Sequence, residues 1–64
     1  MKKISFILPV FNEEENISHI YREILINLNK EKYQYEIIFV DDGSTDKTLK
    51  EIKALIEKDN NVKF

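Results

Sequence analysis

A chain of 64 residues with one Gly, one Pro, one His and no Cys fits a single small domain. It excludes a disulfide framework and lacks the usual ligands of a structural zinc ion. The formal net charge of −2 comes without a basic stripe, which argues against nucleic acid as a partner. The apolar run at residues 4–8 is too short for a signal-peptide core or a membrane span. We therefore expect a cytoplasmic location, with membrane contact only through segments beyond residue 64.

The first predicted element is a strand over residues 4–10, which is apolar apart from Ser5. Such a run is typical of a strand buried on both faces of a parallel sheet. Asn12 and Glu15 have the spacing of a capping box, and acidic residues suit the first turn of a helix. The helix that follows is predicted from apolar residues at helical spacing: Ile17, Ile20, Tyr21, Ile24, Leu25 and Leu28.

The second half of the chain repeats this order. A second apolar run at residues 35–40 predicts a strand and closes on Asp41, Asp42 and Gly43, where the only glycine suits a turn with positive φ. Ser44 or Asp46 is expected to cap a second helix. The buried face of that helix is predicted to comprise Leu49, Ile52, Leu55 and Ile56, and residues 62–64 resemble the start of a third strand.

The predicted fold class is therefore α/β, with the order β-α-β-α-(β) of the first half of a doubly wound parallel sheet. In open sheets of this kind, ligands bind past the carboxyl ends of the strands. Two or three parallel strands also leave an unpaired apolar edge, which invites pairing with another chain. We therefore expect a homo-oligomer formed through this edge.

Several residues at the strand ends have two interpretations each. Asp41 and Asp42 suit contacts to a base, a ribose or a phosphate-bound metal, but acidic residues before glycine also make ordinary turns. Phe11 suits stacking on a nucleobase or packing over the helix start as a hydrophobic staple. Pro9 fixes φ at the end of the first strand. Physical considerations alone favour a solvated first-turn acid at Glu13.

Two segments together, ILPVFNEEENI at residues 7–17 and YEIIFVDDGSTDKT at residues 35–48, resemble the family 2 glycosyltransferases with the GT-A fold. The likeness is closest to the branch that acts on polyprenyl phosphates, such as the dolichol-phosphate mannose synthases. It implies the first half of a Rossmann-like (GT-A) sheet. Residues 1–64 would then be a single partial domain, the N-terminal nucleotide-binding part.

The resemblance also implies an inverting transfer of a sugar from a UDP- or GDP-sugar, assisted by Mg²⁺ or Mn²⁺. The acceptor would be a polyprenyl phosphate or a growing glycan of the cell envelope, and the full-length enzyme would work in the cytoplasm or at the cytoplasmic face of the membrane. The positions that match the family's nucleotide-sugar contacts are Pro9, Phe11, Glu13, Val40 and Asp42, with Asp41 in a supporting role. Phe11 stands where the family commonly has Tyr.

The family's Asp-x-Asp metal motif, its catalytic base and its acceptor-binding segment have no match in these 64 residues. The resemblance therefore implies no catalytic residue and no metal ligand here, and a chain that is inactive alone. Two alternatives come from the residues themselves. One is a small non-catalytic α/β binding or self-assembly module. The other is a metal-dependent phosphoryl-transfer domain, which is weakened because the acidic residues follow the second strand.

Overall fold

The computed structural model describes residues 2–64 and contains five elements. In chain order they are β1 (Lys2–Val10), α1 (Ile17–Asn27), β2 (Tyr33–Asp41), α2 (Thr48–Lys58) and β3 (Val62–Lys63). Among these described residues, no helix is long and apolar enough to cross a membrane. The alternation of strands and helices confirms the predicted α/β order, including the short third strand.

The three strands form one parallel sheet in the order β1-β2-β3. β1 and β2 pair over nine residues, from Lys2 opposite Tyr33 to Val10 opposite Asp41. β3 joins the other edge of β2, with Val62 opposite Ile37. This is the arrangement of the first half of a Rossmann-like sheet, as expected, and it places the carboxyl ends of β1 and β2 side by side.

The core lies on one face of the sheet because both helices pack there. Alternate side chains of β1 and β2 point towards the helices. Fully burying one Ile or Phe side chain contributes about 1.5–3 kcal/mol, so a core this small still carries much of the fold's stability. The buried apolar residues are Val10, Ile17, Ile37, Phe39, Ile52, Leu55 and Val62.

The opposite face of the sheet is open, and here the prediction of a strand buried on both faces is wrong for β1. Ile7 is 65% exposed and Val40 is 49% exposed. No helix of the described residues reaches this face, so its alternate side chains meet solvent. Towards the amino ends of the strands the face is polar, where Glu36 accepts hydrogen bonds from Ser5 Oγ at 2.7 Å and Lys63 Nζ at 3.3 Å.

The start of α1 also differs from the sequence prediction. Asn16 occupies the N-cap and the helix begins at Ile17, so Asn12 is not a helix cap and Glu13 is not a first-turn acid. Asn12 has a φ of 50°, in the left-handed region that asparagine tolerates better than most residues. The capping box was a false signal, because the Asn12 side chain bonds to a distant segment instead.

Candidate functional site

The candidate site lies where β1 and β2 end. We call residues 11–16 the first loop and residues 41–48, which include the last residue of β2 and the first residue of α2, the second loop. Pro9 is opposite Val40 in the register, and both are exposed on the open face. The parallel pairing extends one residue further, since the Asp42 N–H donates to the Val10 carbonyl at 3.1 Å. The topology therefore brings the two sequence motifs to one edge of the sheet.

The turn that opens the second loop is held by Asp41. Its carboxylate accepts the Ser44 N–H at 3.1 Å and the Ser44 hydroxyl at 2.5 Å. Gly43 has a φ of 79°, the left-handed conformation predicted for the only glycine. Asp41 is thus engaged in the turn, and its supporting role in nucleotide-sugar binding stays a prediction.

Asp46 holds the other end of the second loop. Its carboxylate accepts the N–H of Thr48 at 2.9 Å and the Thr48 hydroxyl at 2.5 Å, so it satisfies a free N–H at the start of α2. Partial desolvation raises the pKa of Asp46, but the hydrogen bonds from Thr48 and from the Glu14 N–H outweigh it and leave the pKa below its usual value. The N-cap of α2 is Lys47, so the prediction of Ser44 or Asp46 at that position is wrong, although Asp46, one residue earlier, accepts the Thr48 N–H.

The two loops are joined by four hydrogen bonds. Asn12 makes two of them: its N–H donates to Ser44 Oγ at 2.9 Å, and its side-chain carbonyl accepts the Thr45 N–H at 2.9 Å. The Glu13 N–H donates to Thr48 Oγ1 at 2.8 Å. A longer bond of 3.4 Å runs from the Glu14 N–H to Asp46 Oδ2. The first loop therefore takes its conformation from the second loop.

Two side chains at this edge remain available to a ligand. Phe11 is 54% exposed, so the hydrophobic-staple interpretation is not supported. Asp42 is exposed, and within residues 2–64 its carboxylate accepts no hydrogen bond. Glu13 is half-buried, and its carboxylate accepts the Asn16 side-chain N–H at 2.9 Å. Of the three acids at positions 41, 42 and 46, Asp42 alone is left uncommitted.

An open depression of about 470 Å³ lies at this edge, a size within the range of small-molecule sites. Its lining includes Val40, Asp41, Gly43, Leu49 and Phe64. A roomier concavity of about 560 Å³ lies between β1 and α1, around Ile4, Phe6 and Ile24, and includes none of the predicted site residues. We favour the smaller depression because its lining includes Val40 and Asp41, two of the predicted site residues.

The residues present do not fit a divalent metal ion. The Asp41 and Asp46 carboxylates are already bonded to hydroxyl and N–H groups, which leaves Asp42 as the only one of these three acids whose carboxylate is uncommitted. Across the part of the chain that the structure describes, no group of three His, Cys, Asp or Glu side chains is placed to hold a metal. No step of a reaction is assigned to a metal here.

Sequence reasoning missed the roles of Ser44 and Thr48. Thr48 is fully buried at 0% exposure, although its type and position suggested an ordinary residue of α2. A usable signal was present in the spacing: a hydroxyl residue follows each acid, three residues after Asp41 and two residues after Asp46. Their bonds to the first loop, 32 and 35 residues away, are visible only in the structure.

Comparison with known proteins identifies the family. The profile of the family described as Glycosyl transferase family 2 matches residues 5–64. An uncharacterized glycosyltransferase of Synechocystis is 39% identical over 62 residues, which cover 97% of this chain and 20% of the relative. A second one, of Haemophilus influenzae, is 43% identical over 64 residues, or 100% of this chain and 24% of the relative.

A prophage bactoprenol glucosyl transferase homolog of Escherichia coli is 44% identical over 57 residues, which cover 89% of this chain and 19% of that protein. The chain thus spans about a fifth to a quarter of the length of these relatives. The profile match extends over both motifs and the five elements between and around them. The chain belongs to glycosyl transferase family 2.

Proposed function

We propose that the edge formed by the two loops binds the nucleoside part of a nucleotide-sugar, as one half of the donor site of a glycosyltransferase. One observation carries this proposal: Asp42 and Phe11 are exposed at the carboxyl ends of adjacent parallel strands, while the neighbouring acids are committed to internal hydrogen bonds. In open α/β sheets this edge is where nucleotides bind.

Each proposed contact has a chemical reason. The ring of Phe11 offers a flat apolar surface on which a nucleobase stacks. The Asp42 carboxylate accepts hydrogen bonds from base N–H groups or ribose hydroxyls, and such charged hydrogen bonds are the stronger kind. Pro9 and Val40, opposite each other on the open face, supply apolar contact, and Glu13 supplies a second carboxylate.

For the whole protein we propose an inverting transfer of a sugar from a UDP- or GDP-sugar. The acceptor would be a polyprenyl phosphate or a growing glycan, and transfer would occur in the cytoplasm or at the cytoplasmic face of the membrane. The printed name of the Escherichia coli relative, a bactoprenol glucosyl transferase homolog, supports the polyprenyl acceptor. Mg²⁺ or Mn²⁺ would be held by residues outside this chain, and residues 1–64 alone would be inactive.

The test is isothermal titration calorimetry of the 64-residue chain with UDP and with GDP. We expect one nucleotide to bind, and Asp42→Ala to weaken that binding about tenfold, the equivalent of one charged hydrogen bond. Glu57→Ala, which removes an exposed acid of α2, is the matched control and should leave the affinity unchanged. Absence of binding by the folded unmodified chain, or equal affinities for both variants, would overturn the proposal.

A second candidate, a self-assembling module, is favoured by the outer edge of the sheet. β1 presents a nine-residue edge that pairs with no other strand of residues 2–64. Ile7 of β1 adds apolar surface at 65% exposure. Unpaired strand edges recruit further strands, so a homo-oligomer is the expected partner. Sedimentation velocity that shows only monomer at high concentration, together with nucleotide binding, would exclude this candidate.

A further inference from the structure

Two hydrogen-bond chains of the same design cross from the second loop to the first. In one, the Asp41 carboxylate accepts the Ser44 hydroxyl, and Ser44 Oγ accepts the Asn12 N–H. In the other, the Asp46 carboxylate accepts the Thr48 hydroxyl, and Thr48 Oγ1 accepts the Glu13 N–H. Each chain thus runs from a carboxylate through a hydroxyl to a backbone amide, and the two amides are consecutive.

The order of donors and acceptors in each chain is fixed by chemistry. An ionised carboxylate only accepts hydrogen bonds, so each hydroxyl must give its one proton to the acid. The lone pairs of the hydroxyl oxygen are then left for the amide of the first loop. Fixing a residue's backbone in one conformation costs about 1–2 kcal/mol, so a loop without such bonds would sample several conformations.

The consecutive amides belong to the segment that carries two of the proposed nucleoside contacts. Phe11 precedes Asn12 directly, and Glu13 is itself one of the bonded residues. The Thr45 N–H donates in turn to the side-chain carbonyl of Asn12, whose φ is 50°. The direction in which Phe11 leaves the sheet therefore depends on Ser44 and Thr48.

We infer that Ser44 and Thr48 are positioning residues for the nucleotide site, which act by fixing the backbone of Asn12 and Glu13 before the ligand arrives. This inference rests on the function proposed above. A ligand that meets an ordered loop loses less conformational freedom on binding, so preorganisation raises affinity without adding a contact. Thr48 is fully buried, so its hydroxyl acts only through the loop, whereas Ser44 also lines the depression.

The first arm of the test needs no ligand. Hydrogen exchange of the Glu13 amide is followed by NMR in the free chain, in Thr48→Val and in Thr48→Ser. Valine keeps the shape of threonine but removes the hydroxyl, whereas serine keeps the hydroxyl. We expect exchange to be about tenfold faster in Thr48→Val, the equivalent of one lost hydrogen bond, and near the unmodified rate in Thr48→Ser. Equal rates in all three proteins would overturn the inference.

Hydrogen exchange of the Asn12 amide in Ser44→Ala is an independent measurement. It tests whether a hydroxyl orders the first loop even if Thr48→Val does not fold. Ser44 is only half-buried, so this substitution leaves the core intact. Faster exchange at Asn12 is expected, with Glu13 less affected. Unchanged exchange at Asn12 would contradict the role assigned to Ser44.

The second arm measures UDP and GDP affinity well below the melting temperature, where every protein compared is folded. We expect Thr48→Val and Ser44→Ala to weaken binding about five- to tenfold and Thr48→Ser to restore it. Tyr35→Phe, which removes a hydroxyl hydrogen bond at the other end of the sheet, is the matched control for lost stability. A purely structural role predicts that all affinities are equal.

The two arms separate the inference from the function on which it rests. If the unmodified chain binds neither nucleotide, the proposed function fails, and the exchange rates still decide whether the two hydroxyls order the first loop. If the unmodified chain binds and the variants bind equally well, the function stands and the positioning role is wrong.

Discussion

The two ends of the sheet use the same chemistry for different purposes. At the amino end, one oxygen of Asp59 accepts the hydroxyls of Tyr21 at 2.7 Å and Tyr35 at 2.6 Å, and its other oxygen accepts the Asn61 N–H at 2.9 Å. At the carboxyl end, Asp41 and Asp46 also gather hydroxyls. There, however, the hydroxyls pass a further bond to the backbone of a second loop.

The amino-end cluster only stabilises the fold, whereas the carboxyl-end bonds also order a loop of the candidate site. The tyrosine hydroxyls at the amino end belong to rings that pack against the core, so the cluster closes on itself. Burial, together with the Asp59 carboxylate, raises the pKa of both phenols above the ordinary value. At the carboxyl end the bonds terminate on a loop that bears an exposed aromatic ring. A carboxylate that orders a loop beside unsatisfied groups is therefore the better indicator of function.

The largest effect is expected from Phe39→Ala, which should unfold the domain and so disrupt both ends of the sheet. Phe39 is 1% exposed and lies in the second half of β2, between Tyr35 and Asp41. Phe39→Ala should cost about 3–5 kcal/mol through the cavity that it leaves, enough to unfold a domain of this size. Circular dichroism with chemical denaturation measures the change. Ile7→Ala on the open face is the control, and an equal loss there would refute the one-sided core.

Alkaline pH should weaken the amino end selectively. Because the folded pKa of Tyr21 and Tyr35 is raised above the unfolded value of 10.0, this contribution to stability is fully present below pH 10 and is lost as the pH rises through the folded pKa. Unfolding free energies measured between pH 8 and pH 11.5, limits that bracket the unfolded value of 10.0, detect the onset of this loss. The free energy of unfolding of Tyr35→Phe should fall less steeply with pH. An identical slope would contradict the role of the Asp59 carboxylate in raising the pKa of Tyr35.

A smaller effect is expected from removing one hydroxyl at the amino end at neutral pH. Tyr35→Phe loses the bond to Asp59 and should lower the free energy of unfolding by about 1 kcal/mol. The first loop should be undisturbed, since no hydrogen bond of Asn12 or Glu13 among residues 2–64 runs to the Asp59 cluster. Altered NMR shifts at those two amides would show that the ends are coupled.

The smallest expected effect concerns Glu36 on the open face. Hydrogen bonds from Ser5 and then from Lys3 and Lys63 lower the pKa of this carboxyl to about 2. Its contribution to stability is therefore present above the unfolded value of 4.5 and is lost as the pH falls from there towards 2. Glu36→Gln should be slightly less stable at pH 6 and should converge with the unmodified chain at pH 2. A constant difference would refute the assigned shift.

The sequence predicted the order of elements and most of the core because these depend on local pattern. Ile17, Ile52 and Leu55 follow the helical period and are buried. The pattern did not reveal that one face of the sheet is open. Apolar residues in β1 show which side chains avoid water, but not which elements reach them. For Ile7 none of the described elements does.

The sequence predicted where the candidate site lies but not the hydrogen bonds within it. The two motifs end adjacent parallel strands, and parallel pairing brings them to one edge. Asn12 was misassigned as a cap because the spacing to Glu15 satisfies a local rule, whereas its actual partners are Ser44 and Thr45. Asn12 can form a local hydrogen bond or one to a residue 33 positions away, and the sequence alone does not distinguish the two.

The most direct test of the account is an NMR titration of the 64-residue chain with UDP and with GDP, followed amide by amide. We predict that one nucleotide shifts the signals of residues 10–13 and 40–43 and leaves those around Tyr21, Tyr35 and Asp59 in place. Shifts centred on the amino end, or none from a well-folded chain, would contradict the assignment of the carboxyl end as the nucleoside site.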